Sequence, residues 1–129
     1  MPHTYIPGTW ETGRSFSPAV ITTGGRIAWL AGVGHTLDAQ GNTIRDFAGQ
    51  VHATFTEIAR IMDQFGGSLA DVATMTVYVA DPRYGTEFVE LRSAWFPDGY
   101  PSSTLITVAG FSRPEMLVEV TVTAVLGDE

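Results

Sequence analysis

The chain has 129 residues, no cysteine, no lysine, and seven arginines against fourteen acidic side chains, for a formal charge of −7. That length supports one domain with a real hydrophobic core and no staples, and the lack of cysteine excludes thiolate catalysis, disulfide redox chemistry and Cys-type zinc sites. Nucleic-acid binders displace counterions with a basic stripe, whereas Arg14, Arg26, Arg45, Arg60, Arg83, Arg92 and Arg113 are scattered singly, so no nucleic-acid partner is expected.

The start, Met1-Pro2-His3-Thr4-Tyr5, lacks a basic region followed by an apolar run, so no secretory signal is expected, and His3 falls in a floppy terminus. The longest apolar runs are strand-length, far below the roughly 20 residues of a membrane span. A soluble, cytoplasmic protein without a membrane partner is the default.

Residues 16–22 and 26–31 flank Gly24-Gly25, a pattern that predicts a β-hairpin. Gly32-Val33-Gly34 ends the second strand. Asp46 is placed to cap a helix whose stripe runs Val51, Phe55, Ile58, Met62 and Phe65, closed by Gly66-Gly67. Residues 72–79 alternate as a strand. Asp81-Pro82 reads as N-cap plus first-turn proline of a second helix, with stripe Tyr84, Phe88, Leu91 and Trp95, stopped by Pro97. Strands over 103–109 and 116–126 follow, joined by a loop with Pro114. The order β-β-α-β-α-β-β predicts an α+β fold with two helices on one face of a mixed sheet. The other sheet face mixes apolar and hydroxyl side chains, which suits packing against another copy.

Glu119 stands in the middle of the last strand among apolar neighbours, where an ionised carboxylate is costly unless something pairs with it. It is the first candidate for chemistry, as a general base or acid acting on water or on a leaving amine. The three histidines are far apart with no paired spacing, so no metal is expected. Gly32-x-Gly34 lacks the layout of a dinucleotide fingerprint, and no Gly-x-Ser-x-Gly elbow occurs. No cofactor is expected.

The segments Phe16-Ser17-Pro18-Ala19-Val20, Leu30-Ala31-Gly32, Gln50, Gly66-Gly67-Ser68-Leu69-Ala70-Asp71-Val72, Thr76-Val77-Tyr78-Val79-Ala80-Asp81, Phe96, Tyr100-Pro101 and Val118-Glu119-Val120 occur in one order and spacing. Together they resemble the RidA/YjgF family, also called L-PSP, over a core of 15–126 within a single domain of 1–129. The resemblance implies a chorismate-mutase-like fold, a barrel-like homotrimer, and ligand clefts between subunits. It also implies hydrolysis of reactive enamines or imines, such as 2-aminoacrylate, to an oxo acid and ammonia.

By the same resemblance Glu119 takes the place of the catalytic glutamate and Gly32 that of the cleft glycine. Ala31 replaces the serine before it, and Phe16 keeps a cleft tyrosine's ring without its hydroxyl. The arginine that grips the substrate carboxylate falls on Ser103 in Pro101-Ser102-Ser103-Thr104. Losing a bidentate guanidinium weakens binding of a small carboxylate about 10²-fold. Either another arginine enters the cleft or the substrate presents no carboxylate there. Arg92 at the cleft edge is a candidate replacement, and the alternative is a solvated helix residue. Ser103 and Thr104 are candidates for a hydroxyl cradle, and His35 for a proton shuttle near the cleft mouth. The leading reading is an enamine or imine deaminase, the second a non-catalytic small-molecule-binding protein, and the third an RNA-cleaving enzyme.

Overall fold

In the computed structural model, which describes residues 3–127, eight elements build an α+β fold. They are β1 (Thr4–Ile6), β2 (Ala19–Ile21), β3 (Arg26–Trp29), α1 (Phe47–Asp63), β4 (Val72–Val79), α2 (Tyr84–Arg92), β5 (Ser102–Thr107) and β6 (Val118–Leu126). Single 3₁₀ turns precede β4 and follow α2. The main sheet has the order β3-β6-β4-β5, with β4 and β5 parallel and the other pairs antiparallel. A second, two-stranded sheet joins β1 to β2.

The expected hairpin between residues 16–22 and 26–31 does not form. Gly24 and Gly25 do turn the chain with positive φ of 64° and 85°. Yet β2 pairs with β1, and β3 pairs with β6, nearly a hundred positions away. The long apolar β6 captures β3 because Ile27 and Ala28 find Val125 and Ala124 opposite them, a pairing rich in branched side chains. His3, expected in a floppy terminus, is held by its Nε2 at 3.1 Å from the Val125 carbonyl.

Helix α1 forms as its stripe predicts. Asp46 caps it by accepting from the Gly49 N–H at 2.8 Å, and Gly66 (φ 83°) ends it while the Gly67 N–H reaches the Met62 carbonyl at 2.9 Å. Its apolar face lies against Val72, Met75, Val77 and Val79 of β4 and Val118, Val120, Val122 and Ala124 of β6. Phe55, fully buried, meets Phe88, Trp95 and Phe96 at ring distances of 6.0, 5.5 and 5.7 Å. A residue so placed contributes roughly 3–5 kcal/mol. Helix α2 begins at Tyr84, not at Pro82, because Asp81 spends its carboxylate on the Arg83 backbone and side chain in a preceding turn. Among the described residues no helix is long and apolar enough to cross a membrane.

The sheet therefore has two unlike faces. Even-spaced apolar residues of β4 and β6 point to the helices. The opposite face presents Thr74, Thr76, Tyr78, Glu119, Thr121 and Thr123, with Ile27, Ile106 and Trp29 exposed, Trp29 by 77%. No helix among the described residues covers it.

Candidate functional site

Register assigns each candidate side chain to a face. Met75 points to the helices, so Ser103, its parallel partner on β5, points there too; Tyr78 points away, and so does its partner Glu119. The candidate residues consequently divide between two hollows on opposite sides of the sheet.

On the helix side, Arg92 lies four residues after Phe88, on the buried stripe of α2, and is only 1% exposed. Its guanidinium donates from Nη1 to Ser103 Oγ at 2.6 Å, from Nε to Ser15 Oγ at 3.2 Å and from Nη2 to the Arg14 carbonyl at 3.2 Å. Nη1 also contacts Met75 Sδ at 3.7 Å, and the Phe88 ring lies 5.1 Å from Cζ. Four of its five N–H groups are thereby engaged, leaving one on Nη2. No carboxylate is among these partners. A charge buried without a counter-ion is costly by several kcal/mol, and burial, followed by the nearby Arg14 charge, pushes the guanidinium pKa down to about 10.

Ser15 makes this arrangement possible. It is buried with φ of 60°, the one non-glycine residue with positive φ among those described. Its hydroxyl donates to the Val89 carbonyl at 2.7 Å and accepts from Arg92. Strain of this kind persists where surrounding structure over-determines it. The Ser17 N–H, bonded to the Pro101 carbonyl at 3.0 Å, ties the same segment to the start of β5 and brings Phe16 beside Ser103. Above Arg92 opens a pocket of about 380 Å³ lined by Trp10, Arg14, Phe16, Val89, Ser103 and Leu105, among others. Phe16 and Trp10 pack with ring centroids 5.1 Å apart.

On the open side, Glu119 is half-buried in a hollow of about 300 Å³ with Tyr78, Val108, Gly110, Phe111 and Thr121. Its carboxylate has no hydrogen bond or ion pair to any described residue. It rests over Gly32, where a Cβ would overlap Oε2, so the absent side chain at this position leaves the space the carboxylate occupies. A β-bulge produces the notch. Leu30 donates to the Val122 carbonyl and Val33 pairs with Val120, which leaves both Ala31 and Gly32 opposite Thr121 alone. Two residues against one bend the strand, a device frequent beside active sites. Gln50, buried in α1, fixes the approach to Glu119: its amide donates to the Ile44 and Glu115 carbonyls and accepts from the Leu117 N–H, each at 2.9 Å.

Of the expected site residues, Phe16, Arg92 and Ser103 thus gather in one pocket, and Gly32, Ala31 and Glu119 around the other hollow. Arg92 is not the solvated helix residue that the sequence left open. Thr104 is exposed on the open face opposite Thr76. His35 belongs to neither: its N–H donates to Thr54 Oγ1 at 3.1 Å, and it lines a third hollow with Ile44, His52 and Glu57. Trp10, Arg14 and Ser15 were missed by sequence reasoning, since no periodicity or motif marks a strained serine or a loop arginine.

Solved structures share the architecture. The YyfB protein of Yersinia pestis, of the conserved Rid family and of unknown function, superposes with a TM-score of 0.86 at 23% identity, over 98% of this chain and 100% of its own. A YjgF-family protein of Mycobacterium tuberculosis gives 0.69 at 25% identity over 96% and 99%, and one of Neisseria meningitidis 0.70 at 24% over 100% and 98%. Likeness at these identities speaks to fold. The sequence of residues 10–126 matches the family described as Endoribonuclease L-PSP, and with nearly the whole chain inside that match, the protein belongs to this family.

Proposed function

We propose that the protein hydrolyses a reactive C=N bond, an imine or its enamine tautomer, of a small acid in a cleft between protomers of a homotrimer. The observation that carries this reading is the Arg92 guanidinium, buried, bonded to Ser103 and free of any carboxylate. A carboxylate grip is needed at Ser103, and helix α2 supplies from the side what the strand lacks. The charge loses its solvation penalty when an anion arrives.

In the reaction, Glu119 accepts a proton from water as the oxygen bonds to the imine carbon. It returns that proton to nitrogen, giving a carbinolamine; it then takes the hydroxyl proton and passes it to the amino nitrogen as the C–N bond breaks, so that the carbonyl forms and ammonia leaves. Arg92 holds the acid group and fixes the carbon for attack. Because Arg92, on α2, and Glu119, on β6, lie on opposite sides of one sheet, a single protomer cannot aim both at one small ligand. A ring of copies that cover each other's open faces does so by joining Arg92 of one protomer to Glu119 of the next. The exposed Trp29, Ile27 and Ile106 on that face favour such packing. RNA cleavage suits the chain poorly, with seven cations against fourteen acids and no basic stripe.

The test is complementation. Ammonia release is measured while an amino-acid oxidase generates imines in situ. Arg92→Met and Glu119→Gln, each strongly impaired alone at substrate concentrations below the wild-type KM, are unfolded together and reassembled in equal amounts. Random mixing in a cyclic assembly restores roughly a quarter of wild-type activity if each site draws one residue from each of two protomers. Two variants that stay silent when mixed, beside an active reassembled wild type, would sink the shared site.

A further inference from the structure

The open face of the sheet holds a second group able to act on a ligand beside Glu119. Antiparallel register sets Tyr78 of β4 directly opposite Glu119 of β6. Both are half-buried, and both line the hollow of about 300 Å³ with Thr121, Val108, Gly110 and Phe111. Side chains opposed in this way on one face start about 5 Å apart at Cβ.

The other three tyrosines are occupied by packing. Tyr84 stacks on Phe47 with ring centroids 4.2 Å apart, Tyr100 lies against the core, and the Tyr5 ring fills the space above Gly99. Tyr78 is not held in this way. Its hydroxyl has no hydrogen bond to any described residue, and its ring stacks on no aromatic side chain among them. The hollow therefore combines a carboxylate, which accepts, with a free phenol O–H, which donates. Glu119 is the one charged side chain of a described residue that lines it.

Hydration of a C=N bond calls for both groups at once. As the water oxygen bonds to carbon, the π electrons move to nitrogen, where a donor already in place stabilises the charge that builds up. Glu119 is engaged with the water at that moment.

We propose that Tyr78 is a second catalytic residue, its phenol donating a hydrogen bond to the nitrogen of the C=N bond while Glu119 takes the proton from water. The phenol keeps its own proton throughout. Nitrogen receives its protons through Glu119, so the balance of the reaction is unchanged. Tyr78 and Glu119 stand on one face of one protomer and enter a shared cleft together, whichever copy supplies the guanidinium. The identity of the acceptor rests on the proposed hydrolysis; the contact itself rests on the register and the unpartnered hydroxyl.

Tyr78→Phe tests it, removing one oxygen and keeping the ring. Turnover in the ammonia assay falls about 10²-fold, as when a donor to a developing charge is lost. Binding separates contact from chemistry. 2-Oxobutanoate, with a carbonyl oxygen where the imine nitrogen would lie, is compared by calorimetric titration with 2-methylidenebutanoate, which has a CH₂ group there. The ratio of affinities, oxo acid over methylidene acid, falls about tenfold from wild type to Tyr78→Phe. A ratio that moves by less than about threefold overturns the inference, and so does an oxo acid that fails to bind the wild type. If the wild type releases no ammonia from any imine while the ratio falls, the Tyr78 contact stands and the hydrolysis is lost. If Tyr78→Phe turns imines over as fast as the wild type, the hydrolysis stands and the role of Tyr78 is lost.

Discussion

The helix-covered side of the sheet holds a buried charge, Arg92, enclosed by four donor contacts and an aromatic ring, while the open face carries Glu119 with no hydrogen bond or ion pair to any described residue. The two groups differ in what holds them. Arg92 is fixed by packing, since its backbone belongs to the buried stripe of α2 and its side chain is threaded between Ser15 and Ser103. Glu119 is fixed by omission: a missing Cβ at Gly32 leaves the room in which its carboxylate lies. A binding group gains from rigidity that is prepaid by the fold. A proton-transferring group gains from an open approach to water and substrate.

The sharpest way to break this contrast is to remove each charge while keeping its shape. Glu119→Gln should lower turnover about 10²–10⁴-fold and leave affinity for an unreactive acid within about threefold. Arg92→Met should lower that affinity about 10²-fold, with far-UV circular dichroism unchanged. Variants that alter turnover and affinity in parallel would mean that the two hollows are not specialised.

A smaller effect sharpens the comparison on the open face. In Gly32→Ala the new methyl displaces the far end of a flexible side chain, so the melting temperature should move by only a few degrees, the shift of about 1 kcal/mol. Turnover should fall about tenfold because the carboxylate loses its seat, while acid affinity holds. A stable variant with full turnover would show that the notch has no part in placing Glu119.

Smallest near neutrality is the effect of pH on Arg92. The cation binds acids, and its value of about 10 in the empty protein predicts constant affinity up to about pH 9 and a decline above. The folded value lies below that of an ordinary guanidinium, so between the two the unfolded chain holds more protons at this group. Its contribution to stability therefore rises with pH through that window. Denaturant titrations of wild type and Arg92→Met across pH 9 to 11 read the difference in slope.

How much of this was legible follows from where the signals lie. Helix α1, β4 and β6 declare themselves because each buries one face, which forces a period that survives in the sequence. Strand β1 does not, being three residues long, and without it Gly24-Gly25 reads as a hairpin turn that β6 in fact overrides. Position 119 was readable as a carboxylate in an apolar strand. Arg92 was half-readable: its spacing from Phe88 puts it on the buried stripe, but an arginine at such a place resembles any helix-surface cation until its partners are seen. Ser15 and Arg14 were not readable, as a strained φ and a loop contact across some 77 positions leave no mark in local pattern. The division of the site between sheet faces needed register, which only pairing partners supply.

The bulge at Ala31 and Gly32 has a consequence for how such a chain can change over generations. Excising one of these two residues would give a regular ladder, with Leu30 still opposite Val122 and Val33 still opposite Val120, so the rest of the sheet would keep its alignment. The molecule would fold as before and lose only its local kink. A one-codon deletion here thus separates the scaffold from the chemistry.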